Sequence, residues 1–142
     1  MSIGLATARS LVDEALAAGR EQGFKPLTVV VLDAGGHVVA AAREDGASNN
    51  RFEIAHGKAY GALALGMGSR ALMERAEQQA YFITAAAAAL GGRLVPVPGG
   101  VIVRGADGSV EGAVGISGDT SDNDETAAAK AVQSVGLTAQ VA

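Results

Sequence analysis

Three segments of this sequence carry residue types whose spacing can do chemistry. In Glu53-Ile54-Ala55-His56-Gly57-Lys58-Ala59-Tyr60, the residues Glu53, His56 and Tyr60 fall three and four apart, so a helix puts them on one face. A neutral imidazole on such a face can carry a proton or ligate a metal, and Tyr60 can transfer a proton. Lys58 leaves the same helix in another direction, among Ile54, Ala55 and Ala62. Desolvation there would lower its pKa and suit it to imine formation or acid–base work. The plainer alternatives are a hydrogen-bonded histidine and a lysine whose stem snorkels to solvent.

The second segment is Arg43-Glu44-Asp45-Gly46. Arg43 offers a planar fork that can grip a carboxylate in two places; the alternative is a solvated charge pair on a turn. The third is Val95 to Val103, VPVPGGVIV, where Gly99-Gly100 can point successive amides at one spot and nest an anion. A tight entry into a strand explains the same residues. No Gly-Lys-Ser/Thr follows, so this is no P-loop, and EGAVGISG lacks the spacing of a dinucleotide fingerprint. His37 stands beside a glycine turn. With two histidines and no His-Glu-x-x-His spacing, a built-in transition-metal site is not expected, which leaves His56 and His37 as single candidate ligands. Asp119, Asp122, Asp124 and Glu125 suit the start of a helix through capping and the dipole, with a weak hard-cation site as the alternative.

These residues need elements to hold them. Apolar positions from Ile3 to Gln22 follow a 3.6-residue period, with Gly19 or Gly23 as the stop, and predict an amphipathic helix. LTVVVL (27–32) and HVVAAA (37–42) flank Asp33-Ala34-Gly35-Gly36 and predict a β-hairpin. Helices are expected from Asn49 or Asn50 to about Gly66, from Ser69 to Arg75, and from Gln78 to Leu90 before Gly91-Gly92. Leu94-Val95 reads as a short strand. Val101–Val103 and Val110–Ser117 form a second hairpin around Ala106–Ser109, and a last helix spans roughly 121–135. Hairpins imply antiparallel pairing, so the class is α+β.

Composition narrows the function. The chain has 142 residues, no cysteine, a net charge of −4, and 30 alanines with 20 glycines, about a third of the molecule. The length suits one domain, 1–142. Without cysteine there is no disulfide framework, iron–sulfur cluster or thiol nucleophile. No basic stripe is available to displace counterions, and five aromatics leave little for base stacking, so no nucleic-acid partner is expected. No apolar stretch reaches the length of a membrane span, and the first residues lack a basic n-region; the expectation is a cytoplasmic protein without membrane contact. Alanine and glycine bury little area each, so a thin core would be completed by assembly into a homo-oligomer.

The alanine-rich first helix, TVVVLDAGGHVVAAAREDGA, IAHGKAYGALAL, VPGGVIV, ADGSVEGAVGISG and DNDETAAAKA, in that order over residues 3–135, resemble the GlcG/HbpS/PduO C-terminal-like family of haem-degrading or haem-binding domains. The resemblance implies a profilin-like fold: a five-stranded antiparallel sheet with helices on both faces, assembled as dimers or larger oligomers. Its motif positions include Arg43, Asp45, Lys58, Gly99, Gly100 and Ser117, with the polar subset expected to converge on one pocket. Some haem-binding relatives ligate iron through a histidine on the first helix, and this first helix has none, so His56 or His37 would have to serve. Two functions follow. One is a binder that grips the propionates of haem, or another carboxylate, with Arg43, Lys58, Ser117 and the Gly99-Gly100 amides. The other is a cofactor-independent hydratase, lyase or isomerase on an oxo- or hydroxy-carboxylate. There Lys58 would be base or imine-former, Arg43 the carboxylate clamp, and Asp45 or Tyr60 the proton carrier.

Overall fold

In the computed structural model, which describes residues 1–142, helix α1 (Leu5–Gln22) leads into the hairpin β1 (Thr28–Asp33) and β2 (Val38–Arg43). Helices α2 (Arg51–Leu65), α3 (Ser69–Gln78) and α4 (Ala80–Ala89) follow. The chain then forms β3 (Gly100–Arg104), β4 (Val110–Ser117), α5 (Ser121–Ser134) and β5 (Thr138–Gln140). The strands make one antiparallel sheet in the order β2-β1-β4-β3-β5, with helices on both faces: the expected α+β architecture.

Strand β1 shows why the layers stack as they do. Every second residue of a strand faces the same way. Val29 and Val31 join a core with Leu11, Ala15, Ala128 and Val132 from α1 and α5, while Val30 and Leu32 meet Ala55 and Ala59 of α2 on the other face. A strand buried on both sides reads as an unbroken β-branched run, which is what TVVVL is.

Two features depart from the sequence reading. Leu94-Val95 is not a strand: the Val95 amide donates to the Gly57 carbonyl of α2, and Pro96 and Pro98 bar the segment from a ladder. The fifth strand is instead β5, Thr138–Gln140, which pairs with β3. Three residues of mixed type, Thr-Ala-Gln, carry no periodicity to announce it. Gly23, with φ 73°, ends α1; Gly19 lies inside the helix, packed on Leu27.

The seat of α2 on the sheet is unusually close. Gly100 of β3 and Gly115 of β4 are cross-strand partners. A Cβ on Gly100 would overlap the Lys58 carbonyl oxygen, and one on Gly115 would overlap that of Ala55. The paired glycines thus form a trough into which the helix backbone sinks. Gly115→Ala forces backbone apart rather than a flexible side chain, and should cost at least about 1–3 kcal/mol. Urea unfolding will show this as a lower midpoint; a change no larger than that of Gly4→Ala, where space is open, would refute the trough.

Candidate functional site

Lys58 is 2% exposed and Asp124 1%. The Lys58 ammonium donates to Asp124 Oδ2 at 3.1 Å and to the Ile116 carbonyl at 2.9 Å, while Asp124 Oδ1 accepts the Asp119 amide at 2.9 Å. Burial pulls the lysine pKa below its usual value, opposed by the neighbouring Asp124. Burial likewise pushes the Asp124 pKa up, opposed by Lys58. The amine is desolvated as its small neighbours suggest, but it is enclosed rather than presented. Gly99 packs directly on it: a Cβ there would lie 2.8 Å from Nζ.

The glycine pair is also engaged internally. The Gly100 amide donates to Ser69 Oγ at 2.7 Å, and the Ser69 hydroxyl donates back to the Gly100 carbonyl at 3.2 Å, fixing the start of α3 to β3. The Gly99 carbonyl accepts the Ile116 amide. Ser117 is buried, and its Oγ accepts from Arg51 at 3.1 Å. Arg43 and Asp45 instead line an open cavity of about 450 Å³ with Arg20, Pro26 and Glu44. Arg43 donates to the Ala47 carbonyl at 2.5 Å, and Glu44 is drawn away to the Leu27 amide and Arg20. Arg43 and Asp45 therefore share a cavity, whereas Lys58 and Gly99-Gly100 meet each other inside. Within one chain these groups do not share a pocket.

The α2 face gives a different result. Phe52, His56 and Tyr60 stack in series, with ring centroids 5.9 Å and 5.5 Å apart and planes within 24°. The Arg93 guanidinium lies over the Tyr60 ring, 4.2 Å from its centroid. His56 is half-buried, and burial followed by the Arg93 charge lowers its pKa, with Glu53 opposing. The imidazole is thus held neutral, the form that ligates iron. Phe52 is 39% exposed, so the ridge of ring edges reaches solvent. His37 is exposed, and its Nδ1 lies 3.2 Å from Asp33 Oδ1. The acidic run at α5 is divided: Thr120 caps the helix, Asp122 and Glu125 hold Arg70, Asp119 takes the Lys25 amide, and Asp124 turns inward. No group of three or more His, Asp or Glu side chains is placed to hold a metal ion.

The family description "haem degrading protein HbpS-like" matches residues 3–133. The chain belongs to the HbpS-like family. Among solved structures, the PduOC:heme complex aligns at 23% identity over 99% of both chains, with TM-score 0.86. A double mutant of Streptomyces reticuli HbpS aligns at 24% over 96% of this chain and 88% of its own, TM-score 0.81. The Klebsiella pneumoniae protein ORFY aligns at 25% over 92% and 88%, TM-score 0.83. No curated protein matches the sequence. The HbpS-like assignment agrees with the profilin-like sheet and its two helical layers. No helix is long and apolar enough to cross a membrane.

Three residues of these contacts carried no signal that the sequence reading used. Arg93 follows the Gly91-Gly92 stop by one position, and its place over Tyr60 depends on the return of the chain after α4. Phe52 sits four residues before His56, a spacing that could have revealed the stack. The Lys58 partner, Asp124, lies 66 residues away.

Removing the cation leaves a buried carboxylate alone, so Lys58→Met should lose about 3–5 kcal/mol at neutral pH. In that variant Asp124 keeps its proton in the folded state to higher pH than in the unfolded chain. Between those two values the native state binds more protons, and stability falls as pH rises. Urea unfolding near pH 4.5 and 7.5 should therefore show the variant closer to the native protein at the lower pH; an equal deficit at both would refute an unpaired Asp124.

Proposed function

We propose that this protein binds haem on the α2 ridge, with His56 as axial ligand and Arg93 facing a propionate, in a homo-oligomer. The observation that carries the reading is the imidazole stacked between Phe52 and Tyr60 and held neutral by its surroundings. A bare metal ion needs several protein ligands, and this chain clusters none. A porphyrin brings four nitrogens of its own, so one imidazole suffices to complete the iron's coordination. Stacking covers both faces of the His56 ring and leaves its edge as the route to a metal. The edges of three near-parallel rings give a flat macrocycle a continuous apolar seat. Arg93 adds a fixed cation beside it.

His37 supports a second reading, because a histidine whose Nδ1 is held by a carboxylate has Nε2 oriented for a metal. Its exposure leaves the iron without an apolar seat. The enzymatic alternative needs the Lys58 amine within reach of a substrate, and its enclosure by Gly99, Ile116 and Asp124 weighs against an imine role.

Haemin titration should give a saturable Soret shift that His56→Ala abolishes and His37→Ala preserves; the reverse pattern would move the ligand to His37. Binding should weaken as pH falls through the depressed pKa of His56, because the protonated ring cannot ligate. A spectrum indifferent to both substitutions would overturn the reading, as would a borohydride-trapped keto-acid adduct on Lys58 in favour of the enzyme.

A further inference from the structure

The end of the sheet beneath the first turn of α2 holds more hydrogen-bond donors than acceptors. Thr28 of β1 stands between Arg43 of β2 and Ser117 of β4 and is the cross-strand partner of both. Alternation along β1 puts Thr28 on the same face as Val30, which packs on Ala55 of α2. Gly115, two residues before Ser117, lies under the Ala55 carbonyl, so the turn that begins α2 stands over Thr28 and Ser117. Thr28 is 1% exposed, and its Oγ1 is the one buried side-chain polar atom of the chain without a hydrogen-bond partner. A buried hydroxyl left unpaired is retained at a cost in stability.

Two cations flank this hydroxyl. Arg43 donates to the Ala47 carbonyl. Arg51, the first residue of α2, donates through Nε to Ser48 Oγ and through Nη1 to Ser117 Oγ, each at 3.1 Å. The two guanidiniums are thus anchored on adjacent residues, and neither is ion-paired. Neighbouring acids do not neutralise them: Glu44 is drawn to the Leu27 amide and Arg20, and Asp119 accepts the Lys25 amide. Asp45 and Glu53 make no ion pair. Ser117 Oγ accepts from Arg51, and its own proton has no acceptor. The Phe52 and Glu53 amides are also free, because Asn50 supplies no side-chain cap.

We propose that a phosphoryl group binds here, between Arg43 and Arg51, with the Thr28 and Ser117 hydroxyls as the inner wall. The groups gathered at this point donate; what they lack is an acceptor with lone pairs and charge enough for two guanidiniums. Donors arrive from three directions: β2, the sheet beneath and α2 above. A tetrahedral oxyanion presents an oxygen to each, whereas a planar carboxylate presents two. The positive end of the α2 dipole adds to the attraction. Arg43 is exposed and borders the open cavity with Arg20 and Pro26, which gives the remainder of a phosphate ester a path to solvent. The haem reading plays no part in this site. The probe is colourless and no haem enters the titration, so failure of either leaves the other standing.

The test is calorimetric titration of the full chain with inorganic phosphate, and with methyl phosphate, in a buffer free of other oxyanions. Binding should be saturable. Arg43→Gln and Arg51→Gln should each weaken it at least about tenfold, since each removes one of two charge-assisted partners. Arg9→Gln, which removes an exposed arginine of α1, should leave it unchanged. Thr28→Val keeps the shape of the side chain and deletes the hydroxyl. Without phosphate its urea midpoint should rise, and phosphate should bind at least about threefold more weakly. Circular dichroism shows that each variant folds. Methyl phosphate bound as well as phosphate assigns the site to esters, and its rejection assigns it to the free ion. The proposal is overturned by the absence of a saturable heat with phosphate, or by acetate binding as tightly. Arginine variants that bind phosphate like Arg9→Gln would overturn it as well.

Discussion

The approach of α2 to the sheet is the constraint on which the rest of the structure turns. With Gly100 and Gly115 opposite one another, the helix backbone rests directly on the strands, and only thin residues such as Ala55 and Ala59 fit between. Lys58 has no room beneath the helix for a packed head group. Its stem passes Gly99, just before the start of β3, and reaches Asp124. Asp124 belongs to α5, whose buried alanines pack on the opposite face of the sheet. The ion pair therefore joins the two helical layers around the end of the sheet, and Arg70 repeats the link from α3 to Asp122 and Glu125. A buried pair is costly to form but far costlier to break, which makes it a strong specifier of this one layer arrangement.

How much of this was legible in the sequence depended on range. Local signals worked: TVVVL announced a strand buried on both faces, the DAGG and ADGS turns announced hairpins, and the four-residue spacing of His56 and Tyr60 placed them on one helix face. Contacts made across the fold left no such trace. Asp124 looked like one of several carboxylates suited to a helix start, because capping chemistry and an inward ion pair use the same residue type. Arg93 carries no local signal of its contact with Tyr60. Only the path of the chain past α4 and back along Gly57 and Gly61 brings it over Tyr60.

Alanine and glycine let the layers come close, and the same economy leaves surfaces unfinished. Helix α4 is apolar along its length yet buries only Ile83, and β2 keeps half-exposed aliphatic residues at a sheet edge. A fold thin enough to seat a helix on bare backbone has little side-chain volume left with which to cover its own flanks. The α2 ridge has the opposite character, with Phe52, His56 and Tyr60 stacked and the Arg93 guanidinium over Tyr60.

Gly99-Gly100 shows what a glycine pair in a sequence does and does not say. Gly99 has φ 126°, where a side chain is strained, and it lies against the Lys58 amine and the Ile116 carbonyl. Both properties were inferable from VPGGVIV: an unusual backbone and a close approach. The object approached was not. An anion bound in a nest and a lysine head group threaded past a strand end demand the same missing Cβ. What separates them is the direction of the amides. Gly100 spends its amide on Ser69, which withdraws that donor from an external anion. A glycine motif fixes where backbone must come close, and the identity of its neighbour follows only from the donors and acceptors left over.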